Sequence, residues 1–199
     1  MTTHDYRNLL VGCGHARDKR LEPAHWQPGA DPQKRIAPRV WRGHLETLDY
    51  ESPCEPDIVW DLNVTPWRRK SGDVLAPDTY DEIHAYEVLE HLGAQGDYRG
   101  FFDTFSEIWR LLKPGGFLCA TCPSRRSHWL WGDPGHCRVV LPVSLIFLQQ
   151  PEYERQKGLT NMSDYRSVYR ADFEVVHTHD NNETHSFILQ AVKPSRCPL

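Results

Sequence analysis

Apolar and polar positions fall in alternating blocks along this chain, and the blocks read as strands and helices in turn. Leu9-Leu10-Val11 is a short apolar run ending at Gly12-Cys13-Gly14, the pattern of a buried strand (Asn8 to Val11) that turns sharply. Further strands are predicted at Leu45 to Leu48, Ile58 to Trp60 and Asp81 to Tyr86, the last running into a short helix over Glu87 to Leu92. The strands at Leu45 to Leu48 and Ile58 to Trp60 each end at an aspartate. Tyr98 to Leu112 has the clearest helical period, with Phe101, Phe102, Phe105, Ile108, Trp109 and Leu112 recurring at spacings of three and four. Lys113-Pro114-Gly115-Gly116 stops that helix, because proline cannot continue the ladder and glycine accepts a left-handed cap. Phe117 to Thr121 supplies a fifth strand, and Phe173 to Thr178 with Ser186 to Val192 flank Asp180-Asn181-Asn182-Glu183 as a hairpin. The alternation predicts an α/β sheet covered on both faces.

Positions 18 to 42 break the rhythm. Pro23, Pro28, Gly29, Pro32 and Pro38 make them a poorly helical crossover or a surface insertion of the lid type. Composition narrows the class without naming a function. The 199 residues suit one domain, and 39% hydrophobic with 25% charged content reads as soluble and globular. No apolar run approaches membrane-spanning length and the start lacks a secretory pattern, so a cytoplasmic protein with no membrane partner is expected. The six cysteines are scattered, as reduced thiols would be. A net charge of −4 provides no global field for nucleic acid.

The glycine turn is the first chemical signal. Two glycines one residue apart let the backbone approach a ligand where a Cβ would collide. In a dinucleotide fingerprint the third glycine would fall at position 17, which is Arg17. A helix packed for a pyrophosphate is therefore disfavoured, and a phosphate-free adenosyl ligand fits better.

Four motifs in order carry a family resemblance: Val11-Gly12-Cys13-Gly14; Asp57-Ile58-Val59-Trp60-Asp61-Leu62; Asp81-Glu82-Ile83 with Val88-Leu89-Glu90-His91-Leu92; and Leu112-Lys113-Pro114-Gly115-Gly116. With them the chain resembles the class I S-adenosylmethionine-dependent methyltransferases, over about residues 8 to 122 and the closing hairpin. The resemblance implies a three-layer Rossmann-like α/β fold. Its seven-stranded sheet has six strands parallel and one antiparallel, closed by a C-terminal antiparallel hairpin, within a single domain over 1–199. It implies S-adenosyl-L-methionine as cofactor, lying across the C-terminal edge of the first strands, and a substrate-side region over 123–170. Asp49 follows Gly14 by thirty-five residues where the family usually has about twenty, so the first crossover is long.

On this reading Gly12, Cys13 and Gly14 pass under the methionine end of the cofactor and Asp49 accepts from both ribose hydroxyls. Asp61 takes the adenine amine, Leu62 packs the ring edge, and Tyr86 and Glu87 face the sulfonium. Glu90 and His91 read otherwise, as a surface pair on the helix after the fourth strand. In Ser127-His128-Trp129-Leu130-Trp131-Gly132-Asp133-Pro134-Gly135-His136, His136 has an intrinsic pKa of about 6.5 suited to a general base, oriented by Asp133. Trp129 or Trp131 offers a flat surface to an aromatic acceptor. Basic groups at Arg17 to Arg20, Arg68-Arg69-Lys70 and Arg125-Arg126 follow strands one, three and five. They predict an anionic acceptor: a nucleotide, a nucleic acid or an acidic metabolite. Cys119 and Cys122 have metal-ligand spacing but no second pair, so no metal is expected. A catalytically silent module of the same fold is the alternative.

Overall fold

The computed structural model describes residues 5–23 and 40–198. Within them seven strands form one sheet: β1 (Arg7–Val11), β2 (His44–Asp49), β3 (Ile58–Val59), β4 (Tyr80–Tyr86), β5 (Leu112–Pro123), β6 (Phe173–Asp180) and β7 (Thr184–Ala191). Their order is β3-β2-β1-β4-β5-β7-β6. The first five pair in parallel, and β7 lies antiparallel between β5 and β6. Six strands thus run one way and β7 the other, as expected. The reversal follows from a local bond set: Asn181 Oδ1 accepts from the backbone of Glu183 and Thr184 at 2.8 and 2.7 Å, an Asx turn that folds β7 back on β6.

Strand periodicity divides the interior into two unlike halves. Leu9 and Val11 of β1 and Ile83 and Ala85 of β4 face the large core, which also receives Phe102, Phe105, Ile108 and Leu111 of helix α1 (Tyr98–Leu111). Asp97 caps α1, its carboxylate accepting from the Gly100 amide at 3.1 Å. The opposite face carries Leu10, Cys13 and Tyr86, packed by Leu21, Trp41 and Leu45. Two shorter helices, α2 (Trp129–Gly132) and α3 (Gln150–Gln156), lie between β5 and β6.

Three expectations are corrected. Among the described residues no α-helix precedes α1, so strands and helices alternate only from β4 onward. Residues 24–39, most of the irregular segment read at 18 to 42, lie outside the described residues. Lys113-Pro114-Gly115-Gly116 does not cap α1 with a glycine. Leu112 is already extended and paired with Tyr80, and the four residues form an irregularity inside β5 with Gly115 at φ +77°. Lys113 reaches back to Asp81 at 2.6 Å there, which holds the two strands together through the kink. Finally, Leu89–His91 is a 3₁₀ turn rather than part of a helix over 87–92, because Glu87 adopts φ +54°. Among the described residues no helix is long and apolar enough to cross a membrane.

Candidate functional site

The C-terminal ends of β1, β2, β3 and β4 open onto a cleft of about 620 Å³. Its floor is the glycine turn. Gly12 stands at φ +60° and its amide donates to the Leu48 carbonyl at 2.8 Å; a side chain there would overlap Val88. Gly14, at φ +49°, has open space where a Cβ would project. Its amide donates to Asp49 Oδ2 at 2.8 Å, and Asp49 Oδ1 accepts from the Glu51 amide at 3.0 Å. Arg17 braces the turn from outside by donating to the carbonyls of Gly14 (2.6 Å) and Cys54 (2.7 Å). The arginine that replaces a third glycine is thus a strut between β1 and β2.

Asp61 and Leu62 form the wall after β3. Asp61 Oδ1 accepts from the amide and side chain of Asn63 at 2.9 and 3.0 Å, and Asn63 in turn accepts from the Gly93 amide at 2.7 Å. Glu87, at the end of β4, closes the cleft with Val88 and His91. The fold therefore gathers Gly12, Gly14, Asp49, Asp61, Leu62 and Glu87 around one space. Among the described residues, four of its lining side chains are carboxylates (Asp49, Glu51, Asp61 and Glu87) and none is lysine or arginine.

Cys13 and Tyr86 point elsewhere. Both pack on the opposite face of the sheet, where the Tyr86 hydroxyl accepts from the amides of Arg20 and Leu21 at 3.0 and 3.1 Å and meets His84 Nδ1 at 2.5 Å. The sign of a residue's face on β4 decides this: Tyr86 shares the face of Glu82 and His84, and Glu87 turns to the other side only through its left-handed backbone. Sequence reading missed Glu51, Asn63, Val88, His91 and Gly135 as lining residues; Glu51 alone carried a signal, as a second carboxylate after β2.

A second cleft of about 300 Å³ adjoins the first and shares Glu87 and His91 with it. Pro123 at the end of β5, Ser127 and Trp129, the 133–136 loop and the Glu183-Thr184 hairpin tip complete it. Asp133 and His136 both line it, with His136 Nε2 3.8 Å from Asp133 Oδ2. The His136 ring is nearly covered, meets His91 edge-on at 4.6 Å, and buries Nδ1 without a hydrogen-bond partner. Glu90 is not on a surface at all. It is 1% exposed, neither carboxylate oxygen has a geometric hydrogen-bond partner among the described residues, and its close polar neighbours are the Cys122 thiol and the Glu87 carboxylate. Burial first, and then the nearby Glu87 charge, push its carboxyl up to about 8.

The expected basic groups do not meet at the clefts. Arg69 pairs at 2.5 Å with Glu46, which also bonds Tyr80 at the start of β4, while Arg68 donates to the Gly72 carbonyl. The chain after β3 has by then returned along the sheet to its opposite edge. Lys19 is buried against Glu82 and Glu22, and Arg20 covers the Tyr86 ring. Arg125 stays at the correct edge but leans on Asp180 at 3.8 Å, and Trp131 is exposed without lining either cleft. Cys119 and Cys122 emerge on opposite faces of β5, one toward Glu82 and the other toward Glu90, so they cannot share an ion.

No protein-family model and no curated protein matches the chain. It is similar in shape to solved structures. One is a SAM-dependent methyltransferase from Archaeoglobus fulgidus (15% identity, 93% of this chain and 86% of that one, TM-score 0.49). Another is the N-methyltransferase NodS from Bradyrhizobium japonicum WM9 in complex with S-adenosyl-L-homocysteine (14%, 94% and 78%, TM-score 0.48). A third is the [4+2]-cyclase SpnF (15%, 94% and 74%, TM-score 0.49). Likeness at this level carries no function, which rests on the clefts themselves.

Proposed function

We propose that this chain binds S-adenosyl-L-methionine in the first cleft and transfers its methyl group to an acceptor seated in the second. The observation that carries this is the lining: a glycine-floored cleft with four carboxylates and, among the described residues, no lysine or arginine. A dinucleotide would bring two phosphates into that negative surround unpaired, whereas an adenosyl sulfonium brings positive charge. The residues present fit the group. Gly14 leaves open the space a Cβ would take, and Asp49, with one donor on each oxygen, keeps lone pairs for ribose hydroxyls. Asp61 and Leu62 take the adenine edge, and Glu87 faces the positive sulfur. When bound, the cofactor supplies an electrophilic methyl on sulfonium. The chain's own task is then alignment and exclusion of water, with Glu87 marking the opening between the clefts.

The acceptor expected from the arginine groups is revised by the second cleft. Among the described residues its charged lining is Glu87, Glu90, Asp133 and Glu183 with two histidines, and no lysine or arginine. A neutral or cationic acceptor suits it, and a phosphorylated one does not. We assign His136, beside Asp133, to handle the acceptor's proton.

The test is incubation with methyl-labelled S-adenosylmethionine and a panel of amines, phenols and nucleotides. Expected is label transfer to an uncharged or cationic compound with release of S-adenosylhomocysteine, lowered at least tenfold by Asp61→Ala. Failure to bind the cofactor at millimolar concentration would overturn the proposal. Tight binding with no transfer to any compound would favour the silent module.

A further inference from the structure

Three donor groups converge where the two clefts meet. A Glu90 oxygen and one nitrogen each of His91 and His136 all lie within 4.8 Å of one another. Two pieces of chain supply them, held together by main-chain bonds at Glu90 and by the Arg138 side chain. The amides of Cys137 and Arg138 both donate to the Glu90 carbonyl, at 2.8 and 3.0 Å. The Arg138 guanidinium ties the same loop to the carbonyls of Leu92 (3.0 Å) and Asp97 (2.9 Å). The convergence is thus fixed largely apart from Glu90 and His136, whose own donor atoms are left unsatisfied. Both Glu90 oxygens and His136 Nδ1 are buried with no hydrogen-bond partner among the described residues. A native fold rarely keeps such groups together without something to bind them.

The surroundings resemble the outer shell of a metal centre. His91 Nδ1 lies 3.0 Å from the Gly135 carbonyl, so donation there leaves Nε2 as a free lone pair. His136 turns its Nε2 toward the Asp133 carboxylate at 3.8 Å and holds Nδ1 inward. Glu87 and Glu183 add negative charge to the same cleft.

We propose that Glu90, His91 and His136 bind one first-row divalent metal ion at the junction of the two clefts. Two imidazoles and a carboxylate select zinc, cobalt, iron or manganese over the all-oxygen preference of magnesium and calcium. Bonds of about 2.1 Å place donors roughly 3.4 Å apart, so the set closes by rotation of the exposed His91 ring and small shifts of the other two. Three protein donors leave positions open toward the second cleft, where an oxygen or nitrogen of the acceptor sits. The ion's role deepens the acceptor-side reading above and rests on it; its binding does not. With the ion bound, His136 is a ligand and no longer a free base.

The full chain, freed of metal by chelation, is titrated with Co²⁺ and followed by visible absorption, with S-adenosylhomocysteine binding measured on the same preparations. One equivalent is expected, displaced by Zn²⁺, with affinity at least tenfold weaker in Glu90→Gln, His136→Gln and His91→Ala. His91 is exposed, so its variant tests the site without burdening the fold. No cobalt spectrum in the unaltered chain, or equal affinity in all three variants, overturns the metal site; His136 then stays a free base. Cobalt binding without nucleoside binding keeps the site and removes the cofactor reading.

Discussion

Two buried polar clusters lie on either side of β4, and they are built on opposite terms. On one face Glu82 accepts from Tyr6 and pairs with Lys19 at 2.6 Å and His84 at 2.8 Å, while Tyr86 joins His84 to the amides of Arg20 and Leu21. Every one of those four side chains, Lys19, Glu82, His84 and Tyr86, has a partner. On the other face Glu90 and His136 bury unpartnered atoms beside two clefts rimmed with carboxylates. The first cluster holds the 13–23 segment to the sheet. The second keeps buried donor atoms of Glu90 and His136 without partners among the described residues, and that is the mark of a site shaped for a ligand.

Substitution should separate the two clusters sharply. Glu82→Ala leaves Lys19 buried without its counter-ion and is expected to cost about 3–5 kcal/mol in denaturant unfolding. The matching change on the other face, Glu90→Gln, should leave stability unchanged or raise it at neutral pH, because a carboxyl held up at about 8 must take up a proton on folding and the amide need not. Equal losses in both would erase the distinction.

Acid should act through the satisfied face as well. Burial alone would raise the Glu82 carboxyl, but bonds from His84, Lys19 and Tyr6 outweigh it and hold the group at about 2 against an ordinary 4.5. A depressed carboxyl contributes above the unfolded value and loses that contribution as pH falls. Roughly 3 kcal/mol of stability should therefore disappear between about pH 4.5 and 2. Glu82→Gln should flatten that part of the stability–pH curve; an unchanged slope would remove Glu82 as its cause.

The glycine turn offers a smaller contrast of the same kind. Gly12→Ala forces a methyl against Val88 at positive φ and is expected to cost about 2–3 kcal/mol of stability. Gly14→Ala has room for its methyl and should cost only about 1 kcal/mol, yet weaken cofactor binding tenfold or more because the methyl enters the cleft. The smallest effect on the cofactor is reserved for Arg68→Ala with Arg69→Ala: less than a twofold change in affinity, with a stability loss of about 1–3 kcal/mol because Arg69 leaves the buried Glu46 carboxylate behind. A larger loss of affinity would mean that these arginines reach the ligand after all.

What was legible in the sequence was whatever local pattern settles by itself. β1 and the glycine turn are an apolar run with a fixed stop, and α1 is a long apolar period. Asp49 could be placed despite the long first crossover because the insertion precedes β2 and leaves its end unchanged. Failures came where position depends on a neighbour. The Pro-Gly-Gly stop could not show that β5 had already begun pairing at Leu112. Arg68 and Arg69 follow β3 in sequence, but a two-residue strand gives the chain little length before it doubles back. Tyr86 and Glu87 are adjacent yet belong to opposite faces, and Glu90 looks like a surface carboxylate until the 133–138 loop covers it.

Calorimetric titration of the unaltered chain with S-adenosylmethionine, S-adenosylhomocysteine and NAD tests the central claim most directly. The acidic, glycine-floored cleft should take one equivalent of either adenosyl compound and show no heat with NAD at the same concentrations. Binding of NAD, or of none of the three, would contradict it.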